Sequence, residues 1–177
     1  MDYIKVFQEE CDGFSHEYTS ATIINATLEQ VVETAKEYCE KGHSYYRSFD
    51  DVFSNGKVNE DGSISFIAYR EDPDCIAKFF STHLSDSVVF ADIGWDYHEV
   101  YVMKNGKPYK NFSARWDGEE PEGYTEEYDD DDTLYYDCDV ILKDNESGIE
   151  FFTGGGMCTE DEFKYFQKLI NNNAYKN

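Results

Sequence analysis

Basic side chains are scarce in this sequence of 177 residues. Lysine and arginine together number 15, against 38 aspartate and glutamate residues, so the formal net charge is −23 at pH 7. A surface that binds nucleic-acid phosphates or an anionic membrane needs clustered lysine and arginine, and the basic residues here are scattered. The composition therefore argues against direct binding to DNA, RNA or an anionic membrane.

Long apolar runs and paired cysteines are also missing. No stretch approaches the roughly 18 apolar residues of a membrane-spanning helix, and the first residues lack the basic and then apolar pattern of a secretory signal. The five cysteines form no C-x-x-C pair, which argues against a zinc ribbon or a disulfide framework and fits reduced thiols. We therefore expect a cytoplasmic protein that does not enter a membrane.

Aromatic residues, in contrast, are abundant. The chain has 15 Tyr and 13 Phe but only 3 Pro, and 40% of its residues are hydrophobic. These residue types favour β-strands, and a chain of this length can bury a single core. We expect one folded α+β domain over residues 1–177 rather than a disordered chain.

Three helices are predicted from start signals and apolar stripes. Thr27 and Gln30 have the spacing of a capping box, and Asp72-Pro73 places a cap before proline at the first helical position. The predicted helices run from Leu28 to about Lys41 with an apolar stripe of Leu28, Val31, Val32, Ala35 and Tyr38, from Pro73 onward with Ile76, Phe79, Phe80 and Leu84 buried, and from Glu160 to about Asn171 behind a Thr159 cap.

Alternating apolar residues predict the strands. Between them, Ser44 to Phe53 is compatible with either helix or strand, and Asn55-Gly56 is interpreted as a break. The predicted strands are residues 2–7, Tyr18 to Ile24, Ser63 to Tyr69, Val88 to Ile93, a hairpin of Glu99 to Lys104 with Tyr109 to Trp116 around Asn105-Gly106, Leu134 to Leu142, and Ile149 to Phe152 after a polar turn at Lys143 to Gly148.

The order strand, helix, strand, hairpin over residues 63–116 predicts a mostly antiparallel sheet with helices packed on one face. Within it, Gly62-Ser63-Ile64-Ser65-Phe66, the Pro73-led helix, Val88 to Ile93, and Tyr101-Val102-Met103-Lys104-Asn105-Gly106-Lys107 resemble the plasmid-borne YubB-like family of ferredoxin-like domains. The resemblance covers about residues 62–107. It implies a ferredoxin-like core and a gene carried by a mobile element, and it implies no activity. The acidic β extension after Trp116 is longer and more charged than that family pattern.

No motif indicates catalysis. His16, His43, His83 and His98 each lack an acid or thiol at ligand-like spacing. Cys158 is the thiol best placed for a lowered pKa, one residue before the expected helix cap, but nothing in the sequence supplies it with a base. Gly154-Gly155-Gly156 lacks the Lys-Ser/Thr ending of a phosphate-binding loop. We therefore expect no enzymatic activity and no cofactor.

A calcium site is the remaining possibility for inorganic chemistry. Asp129-Asp130-Asp131-Asp132 offers oxygen ligands, but the run lacks the alternating ligands, the glycine and the closing glutamate of an EF-hand loop. We interpret it as a solvated loop and keep a weak divalent-cation site as the alternative. No metal ligands are assigned.

The acidic residues are concentrated between Asp117 and Glu150, where fifteen acidic side chains accompany one basic side chain, Lys143. Residues 117–133 are predicted to be an acidic loop, and the following strand is expected to hold Asp137 and Asp139 on one face, about 6.6 Å apart. Acids on two adjacent extended strands approach the charge density of duplex DNA, which has one charge per roughly 1.7 Å of its axis. Interleaved tyrosines supply contact area.

This pattern predicts a partner-binding site. Its residues are Asp117, Glu119, Glu120, Glu122, Glu126, Glu127, Asp129, Asp130, Asp131, Asp132, Asp137 and Asp139, with Tyr124, Tyr128 and Tyr135.

In size and charge the chain resembles phage anti-CRISPR and anti-restriction proteins. The resulting hypothesis is an acidic intracellular binding protein that inhibits a nucleic-acid-binding host defence protein by occupying its basic groove. The main alternative is a ferredoxin-like accessory or structural domain whose acidity serves solubility. Two further alternatives are a solvated or salt-adapted acidic face without a partner, and a cryptic enzyme.

Overall fold

The computed structural model describes residues 4–5, 18–41, 48–93, 99–116, 123–125, 134–137, 140–152, 157–161 and 164. The described residues fall into two compact units. The larger unit holds Ile4 and those between 16 and 93 and between 100 and 109, and the second unit holds Lys5, Glu99 and those from Lys110 onward, so that β1 and β6 each have one end residue in the second unit. A single domain over residues 1–177 stays a prediction.

The larger unit is an α+β arrangement around one sheet. The strand order is β1-β6-β5-β2-β4-β3, with β7 paired to β6. Strand β2 is antiparallel to both β4 and β5, and β3 is antiparallel to β4. The elements are β1 Ile4–Lys5, β2 Tyr18–Ile24, α1 Leu28–Glu40, α2 Phe49–Val52, β3 Phe53–Val58, β4 Ile64–Tyr69, α3 Pro73–His83, β5 Val88–Ile93, β6 Glu99–Lys104 and β7 Lys107–Pro108.

One face of this sheet and the two long helices share a core. Ala21 of β2 lies opposite Phe66 of β4 and Ala91 of β5, so the three central strands place apolar residues on the same face. Val31 of α1 and Phe80 of α3 are buried against that face. The mostly antiparallel α+β fold expected from the sequence is therefore present in this unit.

Helix α1 forms where its start signals predicted. The Thr27 backbone N–H donates to Gln30 Oε1 at 2.9 Å, and the Gln30 N–H donates to Thr27 Oγ1 at 3.2 Å, which completes the capping box. Val31, Ala35 and Tyr38 are buried as expected, whereas Leu28 is 37% exposed. Leu28 lies in the first turn, at the edge of the apolar stripe, so its predicted burial was wrong.

Helix α3 and strands β2, β4 and β5 also match their predictions. The apolar face of α3 is buried at Ile76, Phe79 and Phe80, and Leu84 at its end is buried as well. In β4, burial alternates from residue to residue, with Ile64, Phe66 and Ala68 inside. Alternation was therefore a sufficient signal for β4, and a proline-led start was sufficient for α3.

Asn55-Gly56 does not break the chain. It lies inside β3, where the pairing with β4 shifts register between Ser54 and Lys57. A strand accommodates an extra residue as a bulge, and glycine favours such a site because it has no side chain to pack. The segment that the sequence left undecided contains helix α2 and the start of β3.

The hairpin prediction is correct at its turn and wrong in its second strand. Asn105 and Gly106 have φ angles of 53° and 68° and connect β6 to β7, with Lys104 opposite Lys107. Both central residues have positive φ, as a tight type I′ turn requires. The stretch predicted to continue the hairpin instead forms β8 and pairs with β11 in the second unit.

The second unit contains two three-stranded antiparallel sheets, ordered β13-β10-β9 and β12-β11-β8. The single strand predicted from Leu134 to Leu142 is in fact two strands in different sheets. Part of the predicted acidic loop is also a strand, β9. The elements are β8 Phe112–Trp116, β9 Gly123–Thr125, β10 Leu134–Asp137, β11 Val140–Asp144, β12 Glu150–Phe152 and β13 Met157–Thr159.

The predicted C-terminal helix is described only at its start. Glu160, Asp161 and Lys164 are helical, and Lys164 Nζ lies 2.5 Å from Glu160 Oε1. The remaining residues of that prediction lie outside the described part of the chain. Within the described residues, every helix is too short or too polar to cross a bilayer.

Candidate functional site

The acidic segment Asp117 to Glu150 is partly built into the two sheets of the second unit. Strands β9 and β10 lie side by side, with Tyr124 opposite Tyr135 and Gly123 opposite Tyr136. The Tyr136 ring packs over Gly123, since a Cβ added at Gly123 would lie 3.4 Å from Tyr136 Cε1. Glycine thus lets the aromatic ring lie close to the neighbouring backbone.

Acidic runs are attached to both ends of this strand pair in sequence. Glu122 directly precedes β9 and Glu126 directly follows it. The run Asp129 to Asp132 ends two positions before Leu134, the first residue of β10. Because the two strands are antiparallel, opposite ends of β9 and β10 meet at each end of the pair. The pairing of β9 with β10 therefore brings together the strand ends to which these acidic residues are joined in the sequence.

Asp144, another acid of this segment, has a structural role. Its side chain is buried, and Asp144 Oδ2 accepts hydrogen bonds from the Ser147 N–H at 2.8 Å and the Ser147 hydroxyl at 2.5 Å. Gly148 follows with φ of 75°, and its N–H donates to the Asp144 carbonyl at 2.8 Å. The polar turn predicted at Lys143 to Gly148 is present, and Asp144 is removed from any exposed acidic surface.

Glu150 is engaged by a basic side chain of the same sheet. Arg115 Nη2 donates to both carboxylate oxygens of Glu150, at 3.3 Å and 3.2 Å. Both side chains are about half exposed, so this pair adds little to stability. It does neutralise one charge at the end of the segment.

Three predicted site residues lie on described strands. Tyr124 is in β9, and Tyr135 and Asp137 are in β10. Tyr135 is only 7% exposed, so most of its ring is buried within the chain and unavailable to a partner. The others lie outside the described residues: Asp117, Glu119, Glu120, Glu122, Glu126, Glu127, Tyr128, Asp129, Asp130, Asp131, Asp132 and Asp139. The predicted common face of Asp137 and Asp139 lies outside the described residues for the same reason.

A buried polar cluster in the larger unit was not predicted. The Tyr38 hydroxyl donates to Glu71 Oε2 at 2.7 Å, and the Thr19 hydroxyl donates to the Glu71 carbonyl at 2.5 Å. Burial, and then the hydrogen bond with Glu71, raises the pKa of Tyr38 well above its usual range. The Tyr38 hydroxyl therefore stays protonated. Its hydrogen bond to Glu71 links α1 to the end of β4, and because both side chains are buried we interpret this contact as structural.

A thiol and two carboxylates lie close together near the start of α3. Asp72, Asp74 and Cys75 are exposed, and their ligand atoms lie within 4.8 Å of one another. Partial burial, and then the charges of Asp74 and Asp72, raises the pKa of the Cys75 thiol to about 11. Cys75 is therefore a protonated thiol at neutral pH, the less nucleophilic form. Cys158 lies in β13, and the Asp129 to Asp132 run lies outside the described residues.

Comparison of the chain with family models, with curated proteins and with solved structures finds no match.

Proposed function

We propose that this chain is an acidic binding protein that inhibits a nucleic-acid-binding protein by occupying its basic groove. The observation that carries the proposal is the antiparallel pairing of β9 with β10 inside the most acidic part of the sequence. Neighbouring strands lie about 4.8 Å apart. Acidic runs that leave a paired backbone start from fixed positions, which favours a shaped anionic surface over a solvated tail.

Electrostatics defines what such a surface can do. A strongly acidic surface attracts a cleft lined by lysine and arginine, raises the association rate, and loses this advantage as salt screens the charges. Nucleic-acid-binding grooves are lined in this way because they bind phosphates. The contact surface excludes Asp144 and most of Tyr135, which are buried, and it centres on the acidic runs beside β9 and β10.

We further propose a ferredoxin-like core for the larger unit. Two observations support it. The described elements follow the chain order β2-α1-β3-β4-α3-β5, with the single-turn helix α2 added, and the antiparallel strand order is β5-β2-β4-β3. We also propose that the chain belongs to the YubB-like family and that its gene comes from a mobile element. Both proposals rest on the sequence resemblance over about residues 62–107. The target would then be a defence protein of the host cell, as for the anti-CRISPR and anti-restriction proteins that the chain resembles in size and charge.

A competition experiment tests the inhibitory function. Immobilised duplex DNA is used to capture DNA-binding proteins from a bacterial lysate. The captured proteins are eluted and passed at low salt over a column that carries this protein. A retained protein is then purified, and displacement of labelled DNA from it is measured by fluorescence anisotropy. We expect the chain to displace the DNA, with an affinity that falls steeply between about 50 and 200 mM salt.

Matched variants locate the contact surface. D129N/D130N/D131N/D132N removes four charges from the acidic segment and is expected to weaken displacement at least about tenfold. The control E33Q/D50N/E40Q/E60Q removes four charges from exposed positions of the larger unit and is expected to change it little. Equal effects of the two variants would show that only net charge matters, and no displacement by the wild type would favour the alternative that the acidity serves solubility.

A further inference from the structure

A groove with two lysines on its walls lies between α1 and α3 of the larger unit. Its volume is about 390 Å³, within the range of about 300–1,000 Å³ that is typical of small-molecule sites. Its walls include Tyr38, Lys41, Cys75, Lys78, Phe79 and His83. Lysines on a wall are notable in a chain with a net charge of −23.

The floor of the groove is apolar and fixed. Tyr38 and Phe79 pack edge to face, with ring centres 5.0 Å apart. The His83 ring stacks on Phe79 at 4.0 Å with an interplanar angle of 21°. Rings held by several neighbours keep their positions, so this floor is preorganised for the apolar part of a ligand.

The rim already holds a carboxylate. Glu37 Oε1 forms an ion pair with Lys41 Nζ and lies 4.0 Å from His83 Nε2. His83 Nδ1 donates to the Phe79 carbonyl at 2.8 Å, because a carbonyl oxygen can only accept, and this bond fixes the direction of Nε2. The hydrogen bond with Lys41 is the main cause of the lowered pKa of Glu37. Desolvation opposes it, and the charges of Lys41 and His83 add smaller lowering effects.

We propose that this groove binds a small organic anion whose carboxylate or phosphate group replaces the Glu37 carboxylate. The anionic group would contact Lys41, with Lys78 adding a further positive charge, while the apolar body lies against the groove wall at Phe79 and His83. The Glu37 side chain is 43% exposed, and a glutamate on a helix surface reaches solvent by a change of rotamer. The described residues that line the groove include none of the acidic segment.

The net charge of the chain restricts where an anion can bind. A charge of −23 repels anions in general, so an anion that binds must be held by a local group of positive charges. Lys41 and Lys78 are exposed side chains whose removal leaves the core intact, whereas Phe79 is buried and is unsuitable for a test.

Isothermal titration calorimetry of the full chain with three probes measures how much the apolar body and the anionic group of a ligand each contribute to binding. 1-Naphthyl phosphate combines an apolar body with an anionic group, 1-naphthol has the body only, and inorganic phosphate has the anion only. We expect 1-naphthyl phosphate to bind one site with a Kd on the order of 0.5 mM, and each partial probe to bind at least about tenfold more weakly. Equal binding of inorganic phosphate, or no binding of 1-naphthyl phosphate, would overturn the proposal.

Charge-removing variants locate the site, with circular dichroism as the check of folding. K41Q/K78Q is expected to weaken binding of 1-naphthyl phosphate at least about tenfold, and the control K36Q/K57Q, which also removes two exposed lysines, to leave it unchanged. E37Q should strengthen binding about threefold because it releases Lys41, whereas E33Q, one turn away, should not. If K41Q/K78Q and K36Q/K57Q had similar effects, or if E37Q and E33Q did, the ligand would not bind in this groove.

Discussion

A carboxylate can lie in the interior of a protein if hydrogen bonds replace the water that it loses. Glu71 is 7% exposed, and its side chain accepts a hydrogen bond from the hydroxyl of Tyr38, thirty-three residues earlier in the chain. No local pattern marks this pair, because its partners meet only when α1 packs beside the end of β4. Capping residues such as Thr27 and Gln30 were predictable for the opposite reason, since both partners lie within one turn.

The Tyr38–Glu71 contact gives a pH-dependent stability. Tyr38→Phe keeps the ring and removes the donor, so we expect a loss of about 1–3 kcal/mol in the free energy of unfolding at pH 7. The pKa of Tyr38 is raised in the folded state, so the stabilisation by its protonated form is complete below the unfolded pKa of about 10 and declines as the pH rises above it.

Urea unfolding of the wild type and of Tyr38→Phe at pH 7 and pH 11 measures this effect. One unit above the unfolded pKa, the difference between the two proteins should shrink by about 1.4 kcal/mol. Comparing the two proteins at each pH removes the contribution of the other tyrosines and lysines. A difference that stayed constant would mean that folding does not raise the pKa of Tyr38.

At the scale of elements, the β6-β7 hairpin is held against the last turn of α3. Gly106 donates its N–H to Ser81 Oγ at 3.1 Å, and a Cβ added to Gly106 would lie 2.5 Å from Thr82 Oγ1. The Asn-Gly pair was enough to predict the turn. The length of the second strand was not predictable, because Phe112–Trp116 pairs with residues 24 to 32 positions further along the chain, and no turn signal specifies such a partner.

Two glycine variants separate backbone strain from contact. Gly62 has φ of 84° with open space where a Cβ would lie, so Gly62→Ala should cost only the left-handed conformation, about 1–2 kcal/mol. Gly106→Ala has a similar φ and also meets Thr82, so its cost should be larger by about 1–3 kcal/mol. Urea unfolding measures both, and equal costs would mean that Thr82 moves aside freely.

At the scale of the whole molecule, the net charge could be predicted from the sequence, whereas the order of the strands in the sheet could not. The charge is a sum over residues and can be read from the sequence. The order β5-β2-β4-β3 is set by which apolar faces meet, and β2 holds the central place although its sequence alternates only weakly. The acidic segment shows the same limit. Its charge was predictable, whereas its division into strands of two sheets depends on pairing with Phe112–Trp116 and Met157–Thr159.

A charge of −23 should make the folded protein more stable in salt. Repulsion between acids extends over a Debye length of about 30 Å at 0.01 M salt and about 3 Å at 1 M, so salt removes a term that destabilises the compact state. Urea, which is uncharged, is the suitable denaturant. We expect a higher free energy of unfolding in 0.5 M NaCl than in 0.01 M, with KCl as a control. A decrease would mean that attractive pairs such as Arg115–Glu150 dominate.

The register shift in β3 has a consequence for behaviour at high concentration. In the described sheet β3 is the edge strand, and an edge with a regular row of backbone donors and acceptors is a template for open-ended pairing with other chains. The bulge between Ser54 and Lys57 interrupts that row, and Lys57 adds an exposed charge beside it. We therefore expect this edge to resist open-ended pairing even where salt has screened the repulsion between the acids.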